Sequence, residues 1–163
     1  MLKLLKPNLF VNSLLEVSVD QLKKIGIKGL IIDLDNTITY WNDRRITPEV
    51  EAWFANLYQH GIRACIVSNN RGDRVDHVAR TLRVPYISGA GKPRRRAFLR
   101  ALEVLDCRAE EAGVVGDQLF TDILGGNRMG LYTILVVPLG PREFIGTRFI
   151  RKVERIIMPF IKQ

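Results

Sequence analysis

The chain has 163 residues, which suits one domain, and 47% of them are hydrophobic, enough for a packed core and too many for a disordered chain. Its net charge of +8 sits in the two ends: residues 1–30 carry +3 and residues 139–163 carry +4, while the long middle is nearly neutral at +1. The two cysteines, Cys65 and Cys107, form no C-x-x-C pair or disulfide framework, and no apolar stretch approaches the roughly 18–20 residues that span a bilayer, so a disulfide-stapled scaffold and a helical membrane protein are both excluded.

In chain order, Met1 to Pro7 has neither a long apolar core nor a small-residue cleavage site and does not read as a signal peptide. Residues 1–27 form an N-terminal extension with one helix near Val19–Lys24. Five short apolar runs follow: Ile27–Asp33, Arg63–Ser68, Val84–Ser88, Gly113–Asp117 and Tyr132–Val137. Runs this short, without clean alternation, suit strands buried on both faces. Amphipathic stretches separate them. Pro48–His60 has Thr47 as cap, Pro48 at the first helical position and Gly61 as its stop. Arg74–Leu82, Arg94–Leu105 and Leu119–Met129 complete the set, the last ending at Gly130. Alternating strands and helices predict an α/β fold, a three-layer Rossmann-like parallel sheet of about five strands with helices on both faces. The chain reads as a single domain with its core at about 28–138 and a C-terminal extension at 141–163.

In such sheets ligands bind beyond the carboxyl ends of the strands. Asp33, Ser68 and Asp117 each lie at or just past such an end. Asp33 and Asp35 place two carboxylates two residues apart after a buried strand, an arrangement that a hard divalent cation such as Mg²⁺ relieves. Asp117 stands where it could face the same ion, and Asp122 follows five residues later. Ser68-Asn69-Asn70 offers a hydroxyl and turn amides as an anion nest, and Lys92 precedes a helix from which it could reach a phosphate. Taken singly, these residues also suit helix caps, turns and solvated charge.

The order DLDNT (Asp33–Thr37), SNN (Ser68–Asn70), Lys92-Pro93 and GDQLFTD (Gly116–Asp122) resembles the four motifs of the haloacid dehalogenase (HAD) superfamily, over roughly residues 28–138. Trp41 after the first motif and the extended last motif, Val115–Gly126 with Asn127-Arg128, resemble most closely the capless subclass IIIA, the YqeG-like group related to phosphatidylglycerophosphate phosphatases. The resemblance implies a Mg²⁺-dependent phosphatase. Asp33 matches the nucleophile and a metal ligand, Asp35 the general acid/base and a ligand through its carbonyl, and Asp117 the remaining acidic ligand. Thr37, Ser68 and Asn69 match the phosphate-binding set. Lys92 matches the residue that neutralises the phosphoryl oxygens, and Asp122 an acid supporting Lys92 or a metal-bound water. Only ten residues, Ile38–Thr47, separate the first motif from the next helix, and Ser68 to Lys92 holds one helix and one strand, so neither gap can carry a cap domain and the site should be open.

In the C-terminal extension Ile145, Phe149, Val153, Ile156 and Phe160 recur at helical spacing, with Arg148, Arg151, Lys152 and Arg155 between them. Leu2, Leu4, Leu5, Leu9 and Phe10, with Lys3 and Lys6, form a similar mix at the other end. A basic amphipathic helix suits an anionic membrane interface, or equally a terminal helix packed on the sheet with its Arg face solvated. The expected substrate is a membrane lipid phosphate such as phosphatidylglycerophosphate, and the expected place is the cytoplasm, at the inner face of the membrane. The alternatives are a phosphatase of a soluble nucleotide, sugar phosphate or phosphoprotein, and an RNA-binding module with vestigial catalysis. No RNA-binding motif supports the last, so no nucleic-acid partner is expected.

Overall fold

The computed structural model describes residues 2–143 and 145–162. Six parallel strands form one sheet in the order β1-β6-β5-β2-β3-β4. They are β1 (Leu9–Val11), β2 (Gly29–Ile32), β3 (Arg63–Val67), β4 (Tyr86–Ile87), β5 (Ala112–Gly116) and β6 (Tyr132–Val136). The helices are α1 (Val19–Lys24), α2 (Pro48–Gln59), α3 (Asp73–Leu82), α4 (Arg95–Leu105), α5 (Leu124–Met129) and α6 (Ile145–Ile161). A π-helical turn, Leu119–Ile123, runs directly into α5.

The central strand shows why the apolar runs do not alternate. All four residues of β2 are buried, because successive side chains leave opposite faces and both faces are covered. Leu30 and Ile32 join a layer with Trp53, Phe54 and Leu57 of α2 and Val75 and Val78 of α3. Ile31 joins Phe98, Ala101 and Leu105 of α4 on the other side. Thr47 caps α2 as expected, its hydroxyl accepting from the Val50 N–H at 3.3 Å.

The sheet has one strand more than the sequence suggested. Leu9–Val11, read as part of an extension, pairs with Ile134–Val136 along the β6 edge. Asn8 fixes the entry to this strand: its carboxamide oxygen accepts from Thr133 N–H at 2.8 Å, and its own N–H donates to Thr133 O at 2.9 Å. A third apolar cluster, including Leu5, Leu119, Ile123, Leu135 and Ile161, ties the N-terminal turn, the π turn and the end of α6 together.

α6 docks with a face other than the one its apolar periodicity picks out. Glu154 and Ile161 are buried, while Phe149, Ile156 and Phe160 are 73%, 68% and 68% exposed. The side chain of Ile145 lies outside the described residues. No helix among the described residues is long and apolar enough to cross a membrane.

Candidate active site

From β2 the chain moves outward to β3 and β4, then returns to β5 on the other side of β2. Asp33 follows β2 and Asp117 follows β5, so both flank the crevice where the strand order reverses. The ladder extends to Asp33, whose N–H donates to Val115 O at 2.9 Å. Just beyond it the chain turns tightly. Asn36 takes the left-handed conformation (φ 59°), and the N–H groups of Thr37, Ile38 and Thr39 all point to Leu34 O.

One carboxylate oxygen each from Asp33, Asp117 and Asp122 lies within 4.8 Å of the others. Lys92 enters this group from the loop before α4. Its side chain is almost wholly buried, and Nζ donates to Asp33 Oδ1 and Asp122 Oδ1, both at 2.7 Å. A buried ammonium between two carboxylates is opposite to the solvated lysine that a lone Lys usually is. Asn69 holds the Lys92 backbone at both ends, donating to Lys92 O at 3.1 Å and accepting from Lys92 N–H at 2.7 Å.

Asp122 reaches Lys92 because Gly116 lets it pass. A Cβ at position 116 would fall 2.2 Å from the Asp122 carboxyl carbon. The π turn delivers it there, and Asp122 Oδ2 also accepts from Gln118 N–H at 3.2 Å.

Asp35 stands at the mouth of the site, partly exposed. Asn70 Nδ2 donates to its Oδ2 and Arg74 Nη2 to its Oδ1, while Arg74 Nη1 also donates to Asp43 O at 2.9 Å. Ser68 is buried, and its Oγ accepts from Asn70 N–H at 3.1 Å. Thr37 Oγ1 lies 3.5 Å from Asp117 Oδ1 and so supports an acid within the cluster.

The electrostatics follow from burial. Desolvation pushes the Asp33 carboxyl up to about 6, against the pull of Lys92. Burial, then the Asp33 charge, hold Asp117 well above the ordinary carboxylate range, with Arg151 opposing. Burial alone would lower Lys92, but Asp122 and Asp33 outweigh it and keep the ammonium charged. Three clustered acids with oxygen donors suit a hard divalent cation. Both Asp122 oxygens are held closely, by Lys92 at 2.7 Å and Gln118 N–H at 3.2 Å, whereas Asp117 Oδ1 has only the long 3.5 Å contact to Thr37, so Asp33 and Asp117 are the better placed donors.

A cavity of about 740 Å³ opens onto Asp33, Asp35, Ser68, Asn69 and Lys92. There is no cap domain among the described residues, yet α6 contributes to the wall of the cavity: Thr147 and Ile150 line it together with Phe120 and Leu124. The structure brings Asp33, Asp35, Ser68, Asn69, Lys92, Asp117 and Asp122 to one place, and beside them stand Arg74, Arg151, Glu143 and Glu154, which the sequence did not single out as site residues. One signal for the last was available: Glu154 is the only acid between residues 145 and 162.

Comparison with known proteins gives the family. The "Mitochondrial PGP phosphatase" family matches residues 2–84, and the "HAD-hyrolase-like" family matches residues 89–137. The chain is 42% identical over 161 residues to "Probable phosphatase YqeG" of Bacillus subtilis, covering 99% of this chain and 94% of that protein. It is 31% identical to the chloroplastic/mitochondrial phosphatidylglycerophosphate phosphatase 1 of Arabidopsis thaliana, covering 96% of this chain but only 47% of the plant protein. A subfamily III A HAD hydrolase from Legionella pneumophila shares the fold, with a TM-score of 0.54 and 23% identity over 72% of this chain and 70% of that one. The chain thus belongs to the HAD-superfamily phosphatases, in the capless YqeG-like group related to phosphatidylglycerophosphate phosphatases.

Proposed function

We propose that this phosphatase hydrolyses a phosphate monoester through an aspartyl-phosphate on Asp33, with Mg²⁺ as cofactor and a membrane lipid phosphate such as phosphatidylglycerophosphate as substrate. The observation that carries the chemistry is the Lys92 ammonium, 2.7 Å from both Asp33 and Asp122, beside the Asp117 carboxylate.

In this reading Asp33 attacks phosphorus in line and the ester oxygen leaves. Asp35, at the cavity mouth, gives that oxygen a proton and then takes one from the water that cleaves the aspartyl-phosphate. Arg74 and Asn70 aim the Asp35 carboxylate. Lys92 offsets charge on the equatorial oxygens, with the Ser68 hydroxyl and the Asn69 backbone amide as further donors. Thr37 steadies Asp117 from within. Asp33, the Asp35 carbonyl and Asp117 would hold the cation, which when bound supplies charge neutralisation at the phosphoryl group. Asp122 keeps Lys92 in place.

Two observations support a lipid. The curated relatives include a phosphatidylglycerophosphate phosphatase of a plant. The exposed apolar stripe Phe149, Ile156 and Phe160, flanked by exposed Arg148, Lys152 and Arg155, suits an anionic interface next to the wall of the cavity. The test is phosphate release from phosphatidylglycerophosphate in anionic vesicles, set against a panel of soluble esters. Vesicle-dependent turnover, lowered at least about 10³-fold in Asp33→Asn, is expected. Full activity of that variant would sink the mechanism. Turnover of soluble esters alone would remove the lipid.

A further inference from the structure

Arg151 lies far along the chain from every motif that builds the cluster, yet its side chain is largely buried against it. Its guanidinium meets three acids at once. Nε donates to Glu143 Oε2 at 2.8 Å, Nη1 donates to the Asp117 carbonyl oxygen at 2.5 Å and lies 3.3 Å from Glu154 Oε2, and Nη2 pairs with Asp117 Oδ2. Glu154, three residues on, accepts from the Leu119 N–H at 2.7 Å and from the Phe120 N–H at 3.4 Å. These amides open the π turn that carries Asp122 to Lys92. A planar fork of donors can satisfy such a set; a single ammonium cannot.

The consequence falls on Asp117. Both its main-chain oxygen and its outer carboxylate oxygen are fixed by one side chain, leaving Oδ1, which lies 3.5 Å from the Thr37 hydroxyl, as the oxygen available to a ligand. We infer that Arg151, held by Glu143 and Glu154, is a positioning residue that sets Asp117 for a divalent cation, so that α6 is part of the catalytic centre. This rests on Asp117 being a cation ligand, as read above. Groups that orient a metal ligand from outside are typically worth about 10–100-fold in metal affinity or activity.

The test needs no substrate. Mn²⁺ is titrated calorimetrically into the full chain as wild type, Arg151→Gln, Arg151→Lys and Asp117→Asn, with folding followed by circular dichroism. About a tenfold or greater loss of Mn²⁺ affinity is expected in folded Arg151→Gln. A smaller but measurable loss is expected in Arg151→Lys, which keeps the charge and loses the fork. Mn²⁺ affinity in Arg151→Gln equal to or tighter than wild type overturns the inference. Should that variant not fold, Arg151→Lys decides: wild-type affinity there overturns it. Loss in Asp117→Asn without loss in the Arg151 variants leaves the cation site standing and removes only the role of Arg151. A wild-type chain that binds no Mn²⁺ overturns both.

Discussion

The carboxyl edge of the sheet and the outer face of α6 both concentrate charge, under opposite conditions. At the sheet edge Lys92, Asp33 and Asp122 are buried, and each charge has its counterpart 2.7 Å away. On α6, Arg148, Lys152 and Arg155 stand in water among exposed Phe149, Ile156 and Phe160. Burial makes each charge depend on one geometry, because an unpaired ion in low dielectric is costly. Exposure leaves the α6 charges as a screened field, able to meet any anionic surface that comes near.

That contrast can be broken most easily at Lys92. Replacing it with Met strands two carboxylates, and urea unfolding of the cation-free chain should show a loss of about 3–5 kcal/mol. A loss under about 1 kcal/mol would mean that the cluster is wetter than its burial implies.

A smaller effect comes with pH. Asp33 is pushed up to about 6 in the folded chain, while an ordinary Asp titrates near ~4. Between these values the folded state holds a proton that the unfolded chain releases, so stability of the cation-free protein should fall as pH rises from about 4 to about 6. Asp117 is displaced in the same direction. Melting temperatures across this range, in wild type and Asp33→Asn, check the sign: the variant should lose part of the slope.

The smallest change in stability should come from α6. Serine at 149, 156 and 160 should alter unfolding free energy by about 0.5 kcal/mol or less per site, since these side chains touch mostly solvent. Co-sedimentation with anionic vesicles should nonetheless drop. Unchanged sedimentation would reduce the stripe to ordinary surface.

What the sequence revealed follows the same divide. Asp33, Ser68 and Asp117 were legible because a doubly buried strand reads as an apolar run, and the first polar residue after it marks the edge where ligands bind. Lys92 was legible as a phosphate contact from its place before a helix and from the motif order, but its burial was not, since nothing local distinguishes a buried lysine from a solvated one. β1 was missed because three residues on a sheet edge carry no periodicity, and their pairing depends on β6, more than a hundred residues away. Arg151 was missed for a different reason. Helical spacing announces that a helix has two faces, but the wall of the fold decides which one docks, and here the face that places Arg151 and Glu154 beside Ile157 and Ile161 turned inward.

The π turn at Leu119–Ile123 gives this chain an unusual sensitivity to length. Ile123 N–H reaches back five residues to Gln118 O, and Leu124 N–H does the same to Leu119 O. Removing one residue here would restore ordinary α spacing and swing the following side chains by about 100° around the axis. Asp122 would then leave the gap beside Gly116, although every motif residue could still be present. Related chains that keep the acids but differ by a single insertion or deletion in this stretch should therefore have lost the lysine's second anchor.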